Sequence, residues 1–259
     1  MNAQGIYVPE THEQLLIAGS GKLLGNMDPR FDDSNGEAHL AARRQLVGHV
    51  GLNLGEVAAI GVQDGRTAVD EFEDLGDGPA PETDPVRDGF VTTGPIGLML
   101  NTADCTPLVM FEPDRRVLGL AHLGWSGIDR NLHGQMLDWM EGVHGADKRK
   151  VIAYLAPSIG PDSYVRDSVG KEQCEDQRWE KFIVDVEGGV SIDFPGIVAA
   201  ELKAHRVAEV IDNGVDVGAD PRFFSYRRFI NNQAQGMNQD LDGGPNKNGR
   251  NGFVVAMRP

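Results

Sequence analysis

The chain has 259 residues, 40% of them hydrophobic, with 39 acidic side chains against 24 basic ones and a formal net charge of −15. That length supports a sizeable core in one large domain or two small ones. The negative balance argues against a nucleic-acid or anionic-membrane surface, which needs clustered Lys and Arg, and no window approaches the roughly 18 to 20 apolar residues of a spanning helix. Small molecules are the expected partners. The two Cys, at 105 and 174, show no disulfide-framework spacing. The first ten residues lack a basic region followed by an apolar run. A reduced, cytoplasmic setting is expected.

In chain order, 37–50 predicts a helix with Leu40, Leu46, Val47 and Val50 on an imperfect apolar face, and 57–62 a short strand closed by the turn Gln63-Asp64-Gly65-Arg66. The stretch 71–88, with repeated acids, Pro and Gly, reads as a flexible surface loop. Apolar runs at 96–100, 107–111 and 117–121 read as strands. From Gly127 the period turns helical, and Ile128, Leu132, Met136, Trp139, Met140 and Val143 form one stripe, read as core packing. A strand is expected over 151–155, and a helix over 197–204 with Pro195 in its first turn and Asp193 before it. Strands are expected at 207–211, 223–226 and 253–257. The stretch 231–251, rich in Asn, Gln and Gly, reads as a second flexible loop. Strands and helices interleave without strict alternation, which favours an α+β, mixed-sheet layered fold.

Cys105 and His122 carry the chemistry. Each follows an apolar run, in Ala103-Asp104-Cys105-Thr106-Pro107 and Ala121-His122-Leu123-Gly124-Trp125-Ser126-Gly127. Pro107 is read as stopping further ladder pairing. A thiol and an imidazole presented together make either a metal site or a nucleophile–base pair. The turn at Gly124, Trp125 and Ser126 would offer free backbone N–H groups to an anion at a helix start.

These motifs, with Asp88-Gly89-Phe90-Val91-Thr92, Pro157-Ser158-Ile159-Gly160, Tyr164, Phe224-Ser225-Tyr226-Arg227-Arg228 and Asn248-Gly249-Arg250, resemble the YfiH-type proteins. That family has long been labelled multicopper polyphenol oxidoreductases or laccases, is now regarded largely as purine nucleoside enzymes, and has relatives described as peptidoglycan editing factors. The resemblance runs from about residue 40 to the end. It implies a single domain over 1–259 of mixed sheets flanked by helices, in α/β/β/α order, and a zinc site of two His and one Cys. Cys105 and His122 match two of those ligands. Asp64 stands where the resemblance places the third, a His, and Ser126 stands where it places an Arg. An Asp64, Cys105, His122 set with one open position is acceptable to zinc, although the second anionic ligand makes the metal a weaker Lewis acid.

The resemblance implies phosphorolysis of purine nucleosides, deamination of adenosine, or both. Asp104 is then a candidate proton shuttle and Arg43 a candidate catalytic cation. Arg227, Ser225 and the Gly124–Ser126 turn are candidates to bind substrate or phosphate, and Trp125 and Phe223 to stack on the purine or simply pack. Copper at Cys105 and His122 is conceivable, but a multicopper cluster, needing on the order of ten His, is not compatible with the seven present. The rivals are a metal-free Cys/His hydrolase or amidase acting on a cell-wall precursor, and a degenerate family member that only binds a nucleoside. The expected assembly is a monomer or homodimer.

Overall fold

The computed structural model describes residues 1–31, 37–60, 71–82, 84–170 and 176–259. In chain order its strands are β1 (Ile6–Tyr7), β2 (Leu15–Ser20), β3 (Val57–Ala59), β4 (Phe72–Asp74), β5 (Gly89–Thr92), β6 (Gly97–Thr102), β7 (Thr106–Glu112), β8 (Val117–Leu123), β9 (Ile152–Leu155), β10 (Val165–Arg166), β11 (Ile183–Val186), β12 (Gly189–Ile192), β13 (Glu209–Asp212) and β14 (Asn251–Met257). The helices are α1 (Glu37–Gly48), α2 (Trp125–Asp129), α3 (Leu132–His144), α4 (Phe194–Ala204) and α5 (Tyr226–Ala234).

Period-two alternation along the strands sorts the side chains into layers. The sheet β1-β2-β14-β6-β3 faces the sheet β13-β9-β7-β8-β5-β4, and β10-β12-β11 forms a third, smaller sheet. Phe253 and Val255 of β14 meet Val109 and Phe111 of β7 and Leu118 and Leu120 of β8 between the two large sheets. Val254 points the other way, onto Ala42, Leu46 and Val47 of α1. Leu108 and Met110 of β7 turn outward onto Met136 and Met140 of α3 and Ile197 and Val198 of α4. The result is a layered α+β unit in the expected α/β/β/α order, with strands buried on both faces.

Several local expectations are corrected. The apolar stripe from Ile128 is split, because Asn131 takes a left-handed φ of 55° between α2 and α3. Trp139 and Val143 are 42% and 53% exposed; the Trp139 indole donates to Asp74 at 2.9 Å rather than entering the core. Residues 223–226 are not a strand: Ser225 caps α5, its hydroxyl accepting from the Arg228 amide at 3.1 Å, and this cap outweighs the β-preference of the aromatic residues. The stretch 71–88 contains β4, paired in parallel with β5. In 231–251, α5 runs to Ala234, and Asp240 is buried against Arg228 and Lys22. Pro107 does not end the ladder but sits inside β7 opposite His122, its carbonyl accepting from Ala156 at 2.9 Å; proline removes only the donor. The helix entered through Pro195 is as expected, with the Asp193 side chain accepting from the Gly196 amide at 2.8 Å.

Strand ends fix the position of the cleft. The short link 103–105 carries the chain from β6 in one sheet to β7 in the other. β7 pairs with β8 so that Pro107 faces His122, β5 begins opposite Ala121, and β14 begins opposite Thr102. Cys105, His122, Asp88 and Arg250 therefore gather at one end of the sandwich, from segments far apart in sequence.

Candidate active site

A cleft of about 390 Å³ opens at that end, and Cys105, His122, Asp104, Trp125, Tyr164, Phe194, Arg166, Arg227 and Arg250 are among its lining residues. Following Phe111 and Val109 back along β7, Cys105 lies on the face that looks between the sheets; following Leu118 and Leu120 along β8, His122 does the same. Gly124 lets the sulfur sit close, since a Cβ there would lie 3.1 Å from Cys105 Sγ.

His122 Nδ1 is 2.9 Å from Asp88 Oδ1, both groups being buried. Burial alone would lower the ring's proton affinity, but the charge of the Cys105 sulfur and the hydrogen bonds to Asp88 and Cys105 outweigh it and push the ring up to about 10.

Asp104 lies next to Cys105 with both oxygens engaged. Oδ1 accepts from the Ser225 hydroxyl at 2.7 Å and Oδ2 from the Arg227 amide at 2.7 Å. Its carboxyl is raised by burial, against those hydrogen bonds and the charges of Arg227 and Arg250. Asp104 thus accepts at the start of α5 with both oxygens, and the expectation of a free proton shuttle gives way to that of a brace.

Arginines line the rest of the cleft. Arg227 rests over the Tyr164 ring at 4.8 Å, and its buried Nε has no hydrogen-bond partner among the described residues. Arg250 lies 4.4 Å over Phe31 and 5.9 Å from Tyr226, its head held by Asn248 and the Gly249 carbonyl; burial lowers its proton affinity, the charge of Asp28 opposing. Arg166 donates to the Tyr164 hydroxyl at 3.4 Å. Among the described residues these guanidiniums make no ion pair, whereas Arg30 is forked onto Asp28. Trp125 and Phe194 complete an aromatic wall with Tyr164, Trp125 being stacked on the buried Trp179 at 5.1 Å.

The structure brings together Cys105, His122, Asp104, Trp125 and Arg227 and leaves other expected residues aside. Arg43 is not in the cleft: its Nε donates to the Met27 carbonyl at 2.9 Å and its head pairs with Asp84 at 3.1 Å. Ser225 is buried behind the wall as the cap of α5. Phe223 packs edge-on against Tyr7. Ser126 does not line the cleft, and α2, at five residues, is too short to give the Gly124 turn a useful dipole. Asp64 lies outside the described residues, although Ile60, just before that segment, lines the cleft. Among the described residues no group of three His, Cys, Asp or Glu could hold a metal ion. Arg250 and Asp88 belong to motifs that carried no assigned role in the sequence, while Arg166 and Phe194 gave no sequence signal.

A family model described as multi-copper polyphenol oxidoreductase laccase matches residues 25–239. A purine nucleoside phosphorylase of Deinococcus radiodurans is 29% identical over 145 residues, covering 54% of this chain and 55% of the relative. A second, from Rickettsia prowazekii, is 28% identical over 151 residues, covering 56% of this chain and 62% of the relative. The chain thus matches less than two thirds of either relative's length. Among solved structures, the YfiH protein of Bacillus licheniformis superposes with a TM-score of 0.79 at 18% identity, over 99% of this chain and 98% of that one. YlmD of Geobacillus stearothermophilus gives 0.76 at 18% identity, over 100% and 98%.

Proposed function

The chain belongs to the multi-copper polyphenol oxidoreductase laccase family, and from that membership we propose that it is a zinc-dependent enzyme that cleaves purine nucleosides with phosphate and deaminates adenosine in the same cleft. The observation that carries this reading is the set of Arg166, Arg227 and Arg250, none ion-paired among the described residues, in a cleft that also presents Cys105 and His122. A chain of net charge −15 that gathers guanidiniums without an ion pair among the described residues in one cleft favours an anion there. The name carried by the matched relatives supports phosphate as that anion.

In phosphorolysis a phosphate oxygen bonds to the ribose C1′ as the C1′–N9 bond breaks. The purine leaves with that electron pair and takes up a proton, giving free base and ribose 1-phosphate. Arg227 and Arg250 hold the phosphate, with Asp104 bracing the Arg227 backbone. Trp125, Tyr164 and Phe194 offer flat apolar faces to the purine and exclude water from it.

The donors present fit zinc in kind. A cysteine sulfur and an imidazole whose other nitrogen rests on a carboxylate are donors such sites use, and Asp64 would complete the set from outside the described residues. When bound, the metal supplies Lewis acidity at the reacting end of the purine. Purified protein supplied with zinc is expected to release hypoxanthine from inosine only when phosphate is added, and to convert adenosine to inosine. Neither product under zinc or copper would remove this reading.

A His122 ring pushed up to about 10 beside the Cys105 sulfur, with both residues lining the cleft, favours a second reading, a metal-free nucleophile paired with its base. Stoichiometric alkylation of Cys105 by iodoacetamide at neutral pH, unchanged by chelator, supports that reading; a thiol shielded until zinc is stripped supports the first.

A further inference from the structure

We propose that Asp88 is a positioning residue: its buried carboxylate commits His122 Nδ1, so that Nε2 is the ring nitrogen presented to Cys105 and the cleft. The Oδ1–Nδ1 distance is 2.9 Å and Asp88 is 1% exposed. The same two residues are also joined through their backbones, the His122 amide donating to the Asp88 carbonyl at 2.7 Å, while the Asp88 amide is fixed on the Glu71 carbonyl at 2.8 Å. Gly89 permits this approach, because a Cβ there would lie 2.6 Å from Met136 Cε and 2.8 Å from the Leu120 carbonyl. The carboxylate is thus held on a strand start hydrogen-bonded on both sides, opposite a strand end that carries the imidazole. A ring fastened in this way keeps one nitrogen for the protein and one for chemistry, whether the latter meets a metal or a proton.

For its effect on turnover the inference rests on the proposed reaction, but its geometric part is read separately. In protein labelled with ¹⁵N at histidine, the His122 Nδ1 proton is expected downfield and slow to exchange, with zinc or without, and to be lost in Asp88→Ala. Base release by Asp88→Ala is expected to fall by about 10- to 100-fold in kcat, with zinc affinity weakened over the same range. Asp88→Asn, which keeps the volume and guards against a folding failure, is expected to fall between the two. Absence of the downfield proton in the natural protein overturns the proposal, as does its loss in Asp88→Ala with kcat and zinc affinity unchanged. A natural protein that shows the proton but no phosphate-dependent base release would remove the reaction and leave the hold of Asp88 on the ring supported.

Discussion

The guanidinium of Arg227 lies 4.8 Å above the centre of the Tyr164 ring, with its Nε buried and without a hydrogen-bond partner among the described residues. A stacked, planar cation with unused donors is preorganised for a forked acceptor, and lysine reproduces the charge without the fork or the stacking. Arg227→Lys is therefore expected to raise the KM for phosphate by about tenfold or more, while the KM for the nucleoside stays near its natural value. Steady-state kinetics with each substrate varied in turn would check this; an unchanged phosphate KM would place the anion elsewhere.

Arg43 gives the opposite case. Its partners are the Met27 carbonyl and Asp84, and Asn101 Nδ2 donates to the same carbonyl at 3.2 Å. Arg43→Met is expected to leave the phosphate KM unaltered and to lower stability by about 1–3 kcal/mol. Denaturant melts read beside kinetics decide between this structural role and the catalytic one that its resemblance motif suggests.

Asp240 is the acid on which the α5 region is pinned, meeting both Lys22 and Arg228, and the Arg228 head also donates to the carbonyls of Val217, Gly218 and Phe223. Burial would raise the Asp240 carboxyl, but hydrogen bonds from Lys22, the Leu241 amide and Arg228 hold it below its ordinary 3.8. A carboxylate depressed in the folded state contributes stability that is complete above the unfolded value and is lost as pH falls through the folded one. Asp240→Asn should thus cost about 3–5 kcal/mol at neutral pH, and the gap should narrow below about pH 4. Urea melts of both proteins at neutral pH and near pH 3 test the sign.

Gly124→Ala tests how tightly the sulfur is seated. The new methyl would stand 3.1 Å from Cys105 Sγ, closer than ordinary van der Waals contact, so the sulfur must shift. Zinc affinity, measured by competition with a chromophoric chelator, is expected to weaken by about tenfold or more, with the fold retained. Equal affinity in the two proteins would argue against Cys105 as a ligand.

The sequence by itself determined the layers and the central pair. Continuous apolar runs along β7, β8 and β14 read directly as strands with two buried faces, and Cys105 and His122 stand at strand ends in motifs that meet in the cleft. Local signals erred where a single contact outweighed a pattern: the Ser225 cap turned an aromatic run into a helix start, and Asp74 drew Trp139 outward from an apolar stripe.

Only the tertiary structure decided which charged groups face the cleft. Arg43, Arg227 and Arg250 look alike in a sequence, because a guanidinium's role depends on whether a carboxylate or carbonyl lies within reach. Met27 and Asp84 occupy Arg43, while Arg227 and Arg250 lie over aromatic faces, Arg250 with Asn248 and the Gly249 carbonyl at its head, and neither makes an ion pair among the described residues. Asp88 and His122 likewise sit 34 positions apart, and only the antiparallel pairing of β5 with β8 sets one carboxylate against one ring nitrogen.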